Sequence, residues 1–410
     1  MSRTTRSWWR VAAVFLAFSL VAGACGDDDE GKDAGGKGDS GGAKKTYALA
    51  FVGPKTGGDK NLGINILNGA KLAVDQFNES QDDIEIELKE FDTQGDKNFA
   101  PGQFELYNAD ASVLGLVGPA FSGETEAVLP QLQQAKLPMI SASATRVSLA
   151  DIVGSPLAAK TAEGYSVFHR ALPNDASQAA GIAKFLKAKH ANKSIFYAHD
   201  KQAYSAGLVD ELKAAATPAG HKTAGTYEFA DKDDVNMDSA VTAVGGAKPD
   251  IVFYGGYYPL AGRFKKALGD NDSTKDILFV SADGALDQGF LDGASPNADN
   301  AVIACPCNLA TDSAPGDLGT FAKDYKKAFN QNAGTYSSEA YDAANMLMNG
   351  IKAGNTTREK LLAYVEGIKT YDGISKKIQF AENGNVTTDA VYFFKVKGGK
   401  FVPFGDTTKL

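Results

Sequence analysis

The chain has 410 residues, 43% of them hydrophobic, three cysteines, four histidines and a formal net charge of −8. An acidic balance of this kind disfavours nucleic acid, and no nucleic-acid partner is expected. The stretch from Thr46 to Leu410 is too long for one ordinary hydrophobic core, so two domains are expected.

At the start, Arg3, Arg6 and Arg10 precede an apolar run from Val11 to Ala22, too short to span a bilayer comfortably. Ala22-Gly23-Ala24-Cys25 resembles a bacterial lipobox, in which the cysteine takes lipid and becomes the first residue. Ala22 stands where Leu is usual, and an ordinary secretory signal with an incidental cysteine is the other reading. Gly26 to Lys45 holds only Gly, Asp, Lys, Ala, Glu and Ser. Without aromatic or β-branched residues it cannot bury a core, and as a flexible tether it reaches roughly 25 Å. Residues 1–25 therefore read as a lipoprotein signal peptide and residues 26–45 as a linker. The expected location is the cell membrane, on its extracytoplasmic face, by a lipid on Cys25.

Strand and helix patterns then alternate. Tyr47–Val52 is a short apolar run, Leu62–Phe77 has apolar residues at helical spacing, and Ile84–Phe91 alternates as a strand. Val113–Val117 reads as a buried strand, Gly123–Gln134 as a helix, and Pro138–Ile140 opens a strand. The rhythm resumes with a helix at Ala176–Ala188, a strand at Ser194–Ala198 and a helix at Gly207–Ala216. It continues with a strand at Ile251–Tyr254, a helix at Ala261–Leu268 and a strand at Ile277–Val280. Two helical patterns follow, Leu318–Phe329 and Ser338–Ile351. Ile378–Phe380, a turn at Glu382–Asn385, Ala390–Val396 and Phe401–Pro403 read as antiparallel strands. The fold class is α/β: two doubly wound parallel-sheet lobes, 46–170 with 302–371 and 171–301 with 372–410. Crossovers near Arg170, Val302 and Tyr371 would form a hinge.

Open parallel sheets bind ligands beyond the carboxyl ends of their strands. Those ends carry Ser122, Ser143 and Thr145 in the first half, then Tyr204, Tyr257, Tyr258 and Asp283 in the second. Ser122 at a helix start is either a plain cap or a carboxylate ligand. Ser143 and Thr145 are either turn formers or part of a polar cradle for an α-amino acid. Asp283 suits an ammonium, or an Asx turn before Gly284. Tyr257 follows Gly255-Gly256, an irregular strand end that exposes what comes next.

Cys305 and Cys307 are one residue apart. Neighbours along a strand point to opposite faces, so two buried thiols are expected, with a disulfide as the alternative. No histidine spacing suggests a metal pair, and no nucleophile elbow, phosphate loop or dinucleotide fingerprint is present. No enzyme, no metal and no cofactor are expected.

His199-Asp200-Lys201-Gln202-Ala203-Tyr204 and Val252 to Pro259 closely resemble loops of the leucine/isoleucine/valine-binding proteins. The resemblance runs from Thr46 to Phe404 and includes Val52-Gly53-Pro54 and Ala73 to Asn78. It implies the type I periplasmic-binding-protein fold and a solute-binding subunit of an ABC importer, a monomer that hands a branched-chain amino acid to a membrane permease. Residue by residue, it implies that Ser122 binds the carboxylate, the Ser143 carbonyl takes the amine and Thr145 touches the head group. Tyr204 and Tyr257 would close over the ligand, and Asp283, one methylene shorter than the usual Glu, would pair with the ammonium. The family's first-lobe disulfide has no counterpart, since Thr93 and Phe121 stand near its positions. The loop from Lys55 to Leu62, which should meet the ligand side chain, departs from the pattern. An amide, urea or aromatic acid is the alternative ligand, and a sensor ectodomain of a membrane receptor the alternative class.

Overall fold

The computed structural model describes residues 44–150, 166–230 and 236–409. Cys25 and nearly all of the expected linker lie outside the described residues. In chain order the first elements are β1 (Lys45–Gly53), α1 (Lys60–Glu79), β2 (Ile84–Asp92), α2 (Ala100–Ala109), β3 (Val113–Val117), α3 (Ser122–Gln134), β4 (Met139–Ser141) and β5 (Phe168–Arg170). Their strands form a parallel sheet in the order β2-β1-β3-β4-β5. β3 is buried along its whole length, as expected of a central strand covered on both faces.

The chain then adds α4 (Asp175–Lys189), β6 (Ser194–His199), α5 (Ala203–Ala216), β7 (Lys222–Glu228), α6 (Met237–Ala247), β8 (Ile251–Gly255), α7 (Tyr258–Gly269), β9 (Leu278–Ser281), α8 (Gln288–Ala294) and β10 (Val302–Cys305). Three helices follow, α9 (Gly316–Phe329), α10 (Ser337–Lys352) and α11 (Arg358–Glu366), and then β11 (Tyr371–Asp372), β12 (Lys377–Ile378), β13 (Tyr392–Val396) and β14 (Phe401–Asp406). The second sheet runs β14-β13-β10-β9-β8-β6-β7, parallel from β10 to β7 and antiparallel at β13 and β14.

Three sequence expectations are corrected. The chain does not leave the second sheet near Val302: β10 pairs with β9 and β13, so the departure comes after Cys305. Ile378 does not join that sheet, because β12 pairs only with β11. Cys305 and Cys307 are disulfide-bonded, with Cα atoms 4.9 Å apart. β10 ends at Cys305, so the bend at Pro306 removes the opposite-face geometry on which the buried-thiol expectation rested.

α10 returns from the second sheet to lie on α1 and β3. Its approach requires a glycine. A Cβ at Gly69 would run into the Ser337 carbonyl, so no larger residue lets α1 come this close to the start of α10. Among the described residues no helix is long and apolar enough to cross a membrane.

Asp342 ties α10 to the β11–β12 turn. It accepts hydrogen bonds from Ile374 N at 2.9 Å and from Ser375 N and Oγ at 3.0 and 2.5 Å. Burial nevertheless lifts its carboxyl to about 6. The folded group holds its proton more tightly than the unfolded one, so ionisation penalises the fold at neutral pH. The penalty fades as pH falls through about 6 and is gone near 4. Asp342→Asn should therefore gain on the wild type as pH rises from about 4 to 7, by up to roughly 3 kcal/mol, in urea melts. A stability difference independent of pH would show that the carboxyl ionises alike in both states.

Candidate functional site

The carboxyl ends of the strands in the two sheets face each other across a cleft. Its cavity measures about 240 Å³ and is lined by Phe121, Tyr204 and Tyr257, with Asp96, Lys97, Asp200 and Lys201 among its polar groups. Three rings cross it. Phe121, from the first half, lies 4.5 Å from Tyr257, and Tyr257 lies 5.2 Å from Tyr204. Such contacts add about 0.5–1.5 kcal/mol each beyond area burial.

Ser122 opens α3, but Phe121 occupies the cap position, and the buried Glu124 carboxylate accepts the Phe121 N–H at 2.6 Å. The Ser122 hydroxyl instead accepts from Arg146 N at 3.2 Å. The Thr93 hydroxyl donates to the same Glu124. A buried carboxylate thus joins Thr93 and Phe121.

Ser143 donates to the Ala120 carbonyl at 2.5 Å, and the Thr145 carbonyl accepts from Asp175 N at 2.8 Å. Tyr204 stands in the first turn of α5 rather than in a loop. Its hydroxyl donates to Asp283 Oδ1 at 2.5 Å. Tyr257 caps α7. A Cβ at Gly284 would meet the Gly256 carbonyl at 2.8 Å and the Tyr204 ring at 3.0 Å, so the Asp283 turn sits close under both.

Asp283 is fully buried and wrapped by donors. Besides Tyr204, Gln178 Nε2 donates to Oδ1 at 2.9 Å and Tyr336 OH to Oδ2 at 2.8 Å. Tyr336 comes from the start of α10, with the left-handed φ of 71°. A bulky residue held there costs of order 1–3 kcal/mol and persists because its surroundings over-determine it. Asp175 is also fully buried, and Gln178 reaches both acids, at 3.5 Å from Asp175 Oδ1. Burial first, and then the charge of Asp283, raises the Asp175 carboxyl well above its ordinary value; the nearby Thr145 hydroxyl opposes this without reaching hydrogen-bond geometry. Burial raises Asp283 as well, against the hydrogen bonds it accepts.

Arg170 answers these acids. It is fully buried, and burial lowers it to about 9 while Asp175 pulls the other way. Nη1 donates to the Ala144 and Arg146 carbonyls at 2.8 and 3.0 Å, and Nε to Asn385 Oδ1 at 2.7 Å. The loop bearing Thr145 is therefore clamped by the same guanidinium that faces Asp175.

Of the six residues expected to bind ligand, Tyr204 and Tyr257 line the cavity. Asp283 touches Tyr204 directly, and Thr145 is linked to Asp283 through Asp175 and Gln178, whereas Ser122 accepts from Arg146 N and Ser143 donates to Ala120, outside that chain of contacts. Sequence reasoning missed Asp175, Gln178, Arg170 and Tyr336. Asp175 and Gln178 sit at i and i+3 on one helix face just after a strand end, which was a usable signal. Tyr336 had none, because it reaches the site from a helix that belongs mainly to the other half. Among the described residues no group of His, Cys, Asp and Glu could hold a metal ion.

A periplasmic binding protein family model matches residues 46–400. The Leu/Ile/Val-binding protein BraC3 of Rhizobium johnstonii is 25% identical over 364 residues, covering 88% of this chain and 94% of that protein. In fold, the chain is similar to the branched-chain amino acid transporter substrate binding protein LivJ from Streptococcus pneumoniae, in complex with isoleucine. That likeness has a TM-score of 0.77 at 23% identity and covers 87% of this chain and 98% of the other. A solute binding protein of an ABC transporter from R. palustris, in complex with benzoate, has a TM-score of 0.76 at 18% identity, covering 88% and 96%. The chain belongs to the periplasmic binding protein family and has its type I, two-lobed fold.

Proposed function

We propose that the chain is an extracytoplasmic solute-binding lipoprotein of an ABC importer. It captures an amino acid with a branched or similar side chain in the cleft between its lobes and delivers it to a membrane permease. It acts as a monomer, carries out no chemical conversion, and is held by lipid on Cys25. One observation carries the reading: two buried acids, Asp175 and Asp283, share Gln178 behind the cavity-lining Tyr204, with the buried guanidinium of Arg170 acting on Asp175. With both acids ionised this group has one negative charge in excess, which a ligand ammonium would balance. Ser122 and Thr145 supply hydroxyls for the head group, the Ser143 carbonyl accepts from the amine, and Tyr204 and Tyr257 close over the ligand. The names of the Rhizobium and Streptococcus relatives agree with an aliphatic amino acid.

A second reading has its own observation. The Phe121–Tyr257–Tyr204 stack offers flat faces for an aromatic acid, and one structural relative holds benzoate. The acids discriminate between the two: a carboxylate without an ammonium would meet Asp283 and Asp175 with no compensating charge.

Calorimetry with leucine and with benzoate separates these readings. Leucine should bind, and Asp283→Ala should weaken it by about 10², the scale for breaking a desolvated charge pair. Benzoate should bind poorly and gain from the same change. Tight benzoate binding with no leucine binding would replace the first reading by the second.

Closure can be measured separately. A ligand favours the closed state only through contacts that the open state lacks. Leucine should reduce the radius of gyration in X-ray scattering, and Tyr204→Ala with Tyr257→Ala should abolish most of that compaction even at saturation. Tight binding with no compaction would exclude hinge closure as the response to ligand.

Location has its own test. Cys25→Ser should move the protein from the membrane fraction to the soluble fraction. A Cys25→Ser chain that resists salt washing would rule out the lipid anchor.

A further inference from the structure

At the opposite end of the second sheet from the cleft, a cavity of about 480 Å³ opens at the amino ends of β9 and β10. A chain with a net charge of −8 gathers four lysines around it, against the two acids Asp276 and Asp299: Lys189 at the end of α4, Lys265 on α7, Lys275 before β9 and Lys395 on β13. Lys275 is engaged with Asp272 at 2.7 Å. Lys265 is different, being only 5% exposed. Among the described residues its ammonium has no hydrogen-bond or ion-pair partner. Asp299 acts on it from a distance, but that carboxylate accepts the backbone N–H groups of Gly398 and Gly399 at 3.1 and 3.3 Å. Its stem is buried while the unpaired ammonium opens onto the cavity, where water or a ligand can supply acceptors. Partial burial lowers its pKa.

We propose that this cavity binds a phosphate-type oxyanion, with Lys265 as its central contact and Lys189 and Lys395 closing on it from either side. Three ammonium groups from separate elements call for a ligand with more than the two oxygens of a carboxylate. A phosphate offers three or four strong acceptors. The apolar walls, Phe185, Leu278 and Val302, lower the local dielectric and strengthen each contact. The same chemistry arrives either as free phosphate or as the headgroup of an anionic phospholipid.

The test uses the full chain carrying Cys25→Ser, so that no attached lipid holds it to vesicles. Inorganic phosphate is titrated by calorimetry, and vesicles of phosphatidylglycerol are compared with vesicles of phosphatidylcholine by sedimentation. Lys265→Met replaces the cavity-facing ammonium by an apolar chain of similar length, keeps the buried stem, and should melt near the parent temperature. It should weaken phosphate binding by about tenfold or more, the scale of one charge-assisted contact. Lys395→Gln, nearer the rim, should weaken it less and serves if Lys265→Met fails to fold. Leucine binding should be unchanged in both, which keeps this site separate from the cleft. Phosphate binding lost with Lys265 supports a free oxyanion. Phosphatidylglycerol binding lost with Lys265, without phosphate binding, supports a headgroup. If neither probe binds, or if binding is equal in the lysine variants, the proposal fails.

Discussion

The architecture turns on burying Arg170, Asp175 and Asp283 together. Taking any one of these charges out of water costs several kcal/mol, and only partners of good geometry offset it. Each partner fixes part of the fold. Arg170 donates to the carbonyls on both sides of Thr145 and to Asn385 in the final crossover. Asp175 starts α4 and is held to the Thr145 carbonyl. Asp283 gathers hydroxyls from α5 and from the start of α10. A single polar cluster thus ties both sheets and two of the connecting segments at one point.

The position of that cluster follows from topology. Parallel strands end side by side, and the segments leaving them must turn where their backbone groups can find partners. In the first lobe the turns after β3 and β4 supply serine and threonine. In the second, the turns after β6, β8 and β9 supply Tyr204, Tyr257 and Asp283. Apolar burial beneath these turns is extensive, with β3 and β8 fully covered. A rigid base of that kind holds polar groups that would otherwise solvate separately, and lets two acids remain close.

Much of this was legible in the sequence where one face or both faces of an element are buried. The strand at Val113–Val117 has the expected bounds because no polar residue interrupts it. β7 escaped notice: it is an edge strand whose residues are all exposed or half-buried, without an apolar run. α2 was hidden by Pro101 and Gly102, which read as a break but sit in its first turn. Within the site, residues at strand ends were visible as Gly-, Ser- and Tyr-rich turns. The donors that complete Asp283 were not, since Gln178 and Tyr336 lie 105 and 53 positions away in sequence. The cysteines show a similar limit. A spacing rule that holds along a strand fails where Pro306 ends it.

The contacts that close the cleft differ in kind from those inside it. At the rim, Asn61 Nδ2 donates to Asp287 Oδ1 at 2.8 Å and Tyr258 OH to the Gly58 carbonyl at 2.6 Å. Phe121 packs on Tyr257 between them and the interior. Exposed or partly buried hydrogen bonds of this sort contribute only about 1 kcal/mol each, and opening returns their groups to water. These rim hydrogen bonds by themselves join the two halves only weakly. The interior cluster is of another kind: its acids and guanidinium are fully buried, and Tyr336 reaches Asp283 from a helix that lies on the other half. In the proposed function, selectivity for a ligand's charge would rest on the cluster, and the bias toward closure on the aromatic stack and the rim. The segment from Lys55 to Leu62, a turn that becomes the first residues of α1 at Lys60, lies in the second category: it contributes Gly58 and Asn61 to the rim, where the two halves meet.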